Sequence, residues 1–152
     1  MKLVMSAGFS ILTSSTSRED DTTVSEIEDR LGRLAEQLRV EVVETVELTA
    51  RMNACYVAAS GVIYVRKNLD PVTRACAIAH ELGHAFYGHE CSTPRFERVA
   101  DIWAARQLLD GRVTLDLLRE YRDAPGALAA ELGVTPRLLS LWLDCDEHHK
   151  IK

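Results

Sequence analysis

The segment His80-Glu81-Leu82-Gly83-His84 constrains this chain more than any other stretch. On a helix, residues four apart share a face, so His80 and His84 can aim two imidazoles at one point. Zinc accepts imidazole nitrogen at roughly 2.0–2.1 Å and tolerates a tetrahedral site with one position left for water. Glu81 projects about 100° round the helix from His80, beside such a metal rather than on it. That position suits a general base taking a proton from water. The competing reading is two surface histidines on an amphipathic helix. A metal site is preferred because the segment lies on a predicted helix with apolar residues opposite, and Gly83 leaves room for a neighbour to approach.

The surrounding pattern predicts an α+β domain. Val24, Ile27, Leu31, Leu34 and Leu38 recur at three- and four-residue steps and give one apolar helix face. Residues 40–48 alternate apolar and acidic, as a half-buried strand does. Two further apolar runs, Cys55 to Ala59 and Val62 to Val65, meet across Ser60-Gly61 and predict a hairpin. A helix followed by a small antiparallel sheet results. Asp70-Pro71 starts the next helix, which runs through Ala75, Ile78, Ala79, Leu82 and Phe86 and stops near Gly88. Thr93-Pro94 opens another, which Gly111 is expected to end. Three short helices follow.

The third ligand decides the class. The pattern H-E-x-x-H-x-x-G-x-x-H would need glycine at position 87 and histidine at position 90, but Tyr87 and Glu90 stand there. His89 comes one residue early and reads better as a helix-end residue, where the dipole favours an imidazolium. Glu97 is the better candidate, at the start of the helix after the motif. Asp101 lies one turn further along the same face and can accept the far N–H of a ligating histidine. The alternative for this pair is a solvated helix face.

Composition removes several other classes. A chain of 152 residues with 47% hydrophobic side chains can bury a core without disulfides. Cys55, Cys76, Cys91 and Cys145 form no C-x-x-C pair and read as reduced thiols. The formal charge of −5 is spread along the chain, which argues against direct nucleic-acid binding. Ser6, Gly8 and Ser10 interrupt the one apolar stretch near the start, so a leader is expected there rather than a signal peptide. No run approaches a membrane span. The cytoplasm is the expected compartment.

With these segments in place, the sequence resembles the ImmA/IrrE family of zinc metallopeptidases, gluzincin-like proteins of bacteria and their phages. The resemblance rests on Gly61-Val62-Ile63-Tyr64-Val65, Arg74, the motif followed by Ala85-Phe86-Tyr87-Gly88-His89, and the segment Glu97 to Leu109. That last segment is similar to the family's E-x-x-A-[ND]-x-[FW]-A-A-x-x-L-L. The likeness spans roughly residues 24–143 and is specific because both segments occur together. It implies zinc held by His80, His84 and Glu97, with Glu81 catalytic, and cleavage of helix-turn-helix repressors that control prophage, mobile-element or stress genes. Two departures are visible. Asp110-Gly111 replaces the Met-Pro or Leu-Pro of many members, and the short run from His84 to Glu97 suits a compact member with little lid.

The expected organisation is a disordered leader over 1–22, a zincin-like core over 23–111 and a helical cap over 112–152 with a frayed tail. Residues 127–143 read as helix, Gly133-centred turn and helix, a helix-turn-helix pattern. With no basic excess there, packing against the core is preferred to recognition of a partner. The leading function is a zinc endopeptidase acting on a protein regulator, and the alternative is a non-proteolytic, zinc-stabilised regulator that binds a repressor or DNA. Besides zinc, the tetrahedral oxyanion would need a donor, for which Tyr87, His89 and Arg98 are the candidates.

Overall fold

The computed structural model describes residues 18–149, with side chains over 24–145. Helix α1 (Arg18–Leu38) leads into strands β1 (Glu41–Thr45), β2 (Ala54–Val57) and β3 (Val62–Arg66). Helices α2 (Pro71–Tyr87), α3 (Pro94–Leu108), α4 (Gly111–Glu120), α5 (Pro125–Glu131) and α6 (Pro136–His149) complete the chain. The α+β class is as expected. The leader of residues 1–22 lies outside the described residues as far as residue 17, and from Arg18 the chain is helical. Residues 150–152 of the expected frayed tail also lie outside them.

The sheet corrects the expectation of purely antiparallel strands. Its order is β1-β3-β2, with β3 antiparallel to β2 but parallel to β1. The physical reason is burial. Ile63 and Val65 are fully buried, so β3 takes the centre, while β1 keeps its acidic alternation at one edge. The connection from β1 to β2 must therefore cross the end of β3. Arg66 holds it there, donating to the carbonyls of Thr49 and Met52, and the Arg66 N–H donates to the Asn53 carbonyl at 2.8 Å.

Helix α2 sits at the middle of the packing, against α1, α3 and the sheet. Its ends form where the sequence marks them. The Asp70 carboxylate accepts from the Thr73 N–H at 2.9 Å, Pro71 occupies the first turn, and Gly88 closes the helix at φ 65°. That left-handed backbone is one glycine adopts without strain. Ile78, Ala79 and Leu82 of α2 join Ile27 and Leu31 of α1 and Ile63 and Val65 of β3 in the core. Phe86, expected on this apolar face, is 53% exposed and packs its ring at 5.4 Å from Trp103.

Helix α3 starts as expected, with the Thr93 hydroxyl accepting from the Phe96 N–H at 3.2 Å and Pro94 behind it. Its end needs a correction. Gly111 does not close α3, which stops at Leu108; it opens α4, because the Asp110 carboxylate caps Arg112 and Val113. The C-terminal helices share the one core, with Leu128, Leu138, Leu139 and Trp142 buried in it. No helix of the described residues is long and apolar enough to cross a membrane.

Gly83 sets the distance between α2 and α3. A Cβ there would stand 2.9 Å from the Ala100 carbonyl oxygen and 3.0 Å from its Cα, both backbone atoms that cannot swing aside. His80 and His84 flank Gly83 on α2, and Glu97 and Asp101 flank Ala100 on α3, so this contact draws all four together. Gly83→Ala is expected to destabilise the fold by about 1–2 kcal/mol. Overpacking costs about 1–3 kcal/mol, and the helix propensity of alanine offsets up to about 1 kcal/mol of it. Urea unfolding checks this; a variant as stable as the wild type would mean the helices separate without cost.

Candidate metal centre

Two imidazoles and a carboxylate meet between α2 and α3. The Nε2 atoms of His80 and His84 lie 3.1 Å apart. One Glu97 oxygen stands 3.1 Å from His80 Nε2 and the other 3.3 Å from His84 Nε2. The ligand atoms of this trio all lie within 4.8 Å of one another, close enough to hold a metal ion. The fit to zinc is good, because two nitrogens at tetrahedral zinc stand about 3.3 Å apart at its bond lengths. A nitrogen-rich set with one carboxylate also suits zinc better than magnesium or calcium, which prefer all-oxygen ligands.

Each trio member is held from behind. Asp101 Oδ1 lies 2.7 Å from His80 Nδ1, and Asp101 Oδ2 accepts from Arg137 on α6 at 2.6 Å. His84 Nδ1 faces His89 Nδ1 at 3.0 Å, so one ring donates and the other accepts. The His89 ring stacks on Phe96 at 4.0 Å and on Tyr87 at 5.6 Å. The Ser92 hydroxyl donates to the Glu97 carboxylate at 2.7 Å. Glu81 sits apart from the trio, its Oε2 accepting from the Tyr56 backbone N–H at 2.8 Å. Tyr56 belongs to β2, an edge strand, so the glutamate links the motif helix to the sheet.

Electrostatics separate these groups. Burial raises the Glu81 carboxyl, outweighing the opposing pull of His80 and the Tyr56 N–H. Burial also lowers His84, reinforced by the neighbouring His80. For His80 burial acts downward too, but the Asp101 hydrogen bond and the charges of Glu81, Asp101 and Glu97 prevail, and its pKa is raised. Asp101 and Glu97 go the other way. Burial would raise each, yet hydrogen bonds, to His80 for Asp101 and to Ser92 for Glu97, combine with nearby charge to lower both.

A cleft of about 670 Å³ opens over the centre. Its walls include His80, Glu81 and His84 of α2, the Ala54–Tyr56 stretch of β2, and Arg137, Leu138 and Leu141 of α6. Among the three candidate oxyanion donors, His89 lines this cleft. Tyr87 is 48% exposed and stacks outside it, and Arg98 lines a separate depression with Arg137 and Asp144. Sequence reasoning did not find Ser92, the Tyr56 N–H or Arg137. A serine five residues before Glu97 offers at best a weak signal, and the other two reach the site across 25 and 36 residues.

Comparison with known proteins bears on the same segment. The family model described as the IrrE N-terminal-like domain, Peptidase_M78, matches residues 22–141. No curated protein sequence matches the chain. Among solved structures, a Mycobacterium tuberculosis transcriptional regulator superposes with a TM-score of 0.56 at 18% identity, covering 83% of this chain and 46% of that one. The chain thus spans less than half the length of that regulator, and the likeness is one of fold. The family match runs over most of the sequence and contains the motif helix, the carboxylate helix and the start of α6, and by it the chain belongs to the IrrE N-terminal-like peptidase family.

Proposed function

We propose that this domain is a zinc-dependent endopeptidase that cleaves a protein regulator in the cytoplasm, with His80, His84 and Glu97 as ligands. The observation that carries this is the convergence of the three ligand atoms in a cleft beside an independent carboxylate, Glu81. A zinc ion held there supplies Lewis acidity toward water and the peptide carbonyl. Glu81 takes the proton of the attacking water and returns it to the leaving amine. Its raised pKa suits that exchange, since a base works best with a pKa nearer the working pH. Asp101 fixes His80 with Nδ1 protonated and Nε2 free to ligate. The outer edge of β2 along the cleft offers backbone groups of the kind that hold an extended peptide as an added strand.

The substrate proposed is a helix-turn-helix repressor, the class implied by the family resemblance. A second reading, a non-proteolytic regulator that uses metal for stability, draws support from the name of the similar structure, a transcriptional regulator. Glu81 discriminates between them, because structural zinc requires no base. The test is to incubate the purified protein with the repressor encoded beside it and follow cleavage by mass spectrometry. Cleavage stopped by a chelator and restored by zinc is expected. Stoichiometric zinc with no cleavage of any such repressor would favour the second reading.

Zinc affinity should also fall as the solution is acidified from neutral toward about pH 5, because ligands must be deprotonated to bind. The sign follows from His80. Its raised pKa means that the metal-free fold gains stability from the protonated ring below about 6.5, and loses it as the pH rises through the raised value. Metal binding runs in the opposite sense. Titration of zinc at several pH values checks this; affinity independent of pH would remove the histidines from the site.

A further inference from the structure

The C-terminal helix reaches the metal centre through a charged contact between Arg137 and Asp101. Asp101 is among the few buried polar residues, its side chain 11% exposed. Each of its oxygens has a different role. Oδ1 meets His80 Nδ1 at 2.7 Å, and Oδ2 accepts from Arg137 at 2.6 Å. A buried carboxylate left with one oxygen unpaired is costly, and it can rotate to a new partner. Arg137 loses little by serving it, since its own side chain is 82% exposed.

The backbone supports this reach. Arg137 stands in the first turn of α6, which the Thr135 hydroxyl caps by accepting from the Leu138 N–H at 3.4 Å. Leu138 and Leu139 follow directly and are buried in the core, so the base of the arginine side chain is fixed. Arg137, Leu138 and Leu141 also wall the cleft above the histidines.

We propose that Arg137 is a positioning residue for the metal centre, acting from α6 through Asp101 on His80. This rests on the zinc reading given above. The arginine holds the Asp101 carboxylate in one rotamer, the carboxylate holds the His80 ring with Nδ1 protonated, and Nε2 is thereby presented toward Glu97 and His84. Through this side chain the C-terminal segment supports the metal site.

The experiment compares the full chain with Arg137→Gln, Arg137→Lys and Leu139→Ala. Leu139 is buried in the same helix and is not among the residues lining the cleft, so its variant weakens α6 packing without removing the charge. Zinc affinity is read by chelator competition, cobalt absorption bands report ligand geometry, and thermal melts of metal-free samples report stability. Arg137→Gln is expected to weaken zinc about 10–100-fold and shift the cobalt bands. Arg137→Lys should recover part of the affinity, as a point charge without the planar fork. Leu139→Ala should lower the melting temperature yet keep zinc affinity near wild type at temperatures where it is folded. Unchanged affinity and cobalt bands in Arg137→Gln overturn the proposal, as does an equal loss in Leu139→Ala. If the wild type itself takes up no zinc, the metal reading fails, and the role of Arg137 falls with it.

Discussion

Glu81→Gln is expected to keep zinc at one equivalent and to lose cleavage by about 10²–10⁴-fold, the usual contribution of a positioned base. The substitution is close to isosteric, and the Gln carbonyl oxygen can still accept from the Tyr56 N–H that Glu81 holds at 2.8 Å. The link between α2 and β2 therefore survives, and the fold should be unchanged. Glu81 belongs to no part of the trio, so metal content should persist. Its charge contributes to raising the His80 pKa, and the Gln variant should lose that contribution. Single-turnover cleavage assays with metal analysis on the same samples separate these effects. A Gln variant that cleaves at near wild-type rate would end the assignment of Glu81 as base. A variant that loses both zinc and activity would mean that Glu81 supports the site rather than the chemistry.

What the sequence made legible, and what it did not, follows from how far each interaction reaches along the chain. The ends of α2 and the start of α3 are local events. Asp70, Pro71 and Gly88, then Thr93 and Pro94, each act within four residues of the boundary they set. The i, i+4 pairing of His80 and His84 is equally local. The sheet order is not, because strand adjacency along the chain suggests β1 beside β2, while burial of Ile63 and Val65 inserts β3 between them. Gly111 misled for a different reason. Glycine after an apolar helix is a common stop, but here Asp110 ahead of it turns the pair into the start of α4.

The same distinction runs through the site. Glu97 could be named because it follows the motif at a spacing one helix turn from Asp101. Ser92 and His89 required knowledge of how the loop from Gly88 to Thr93 folds back, which brings one against Glu97 and the other against His84. His89 was read as a helix-end residue or an oxyanion donor. Its Nδ1 faces His84, and its ring stacks with those of Phe96 and Tyr87. The motif alone carries no trace of that pairing.

The division of labour between Glu97 and Asp101 gives the other large expected effect. Glu97 spans both histidines with its two oxygens, at 3.1 and 3.3 Å, whereas Asp101 meets the far nitrogen of His80 with one oxygen and Arg137 with the other. Glu97→Ala leaves two imidazoles, one ligand fewer than the three protein ligands of catalytic zinc sites. Zinc affinity should then fall by more than about 100-fold, beyond the 10–100-fold expected when an outer partner is lost, and activity should go with it. Asp101→Ala should show that smaller loss, with zinc still detectable, because Nε2 of His80 remains able to ligate once its ring is found in the right orientation. If both residues served only as charges on a helix surface, both substitutions would be nearly silent. Zinc content after dialysis against a mild chelator, with thermal melts of the same samples, ranks the two. Equal retention in wild type and Glu97→Ala would remove Glu97 from the trio. A deeper loss in Asp101→Ala than in Glu97→Ala would reverse the assignment, making the buried carboxylate the ligand and Glu97 its neighbour.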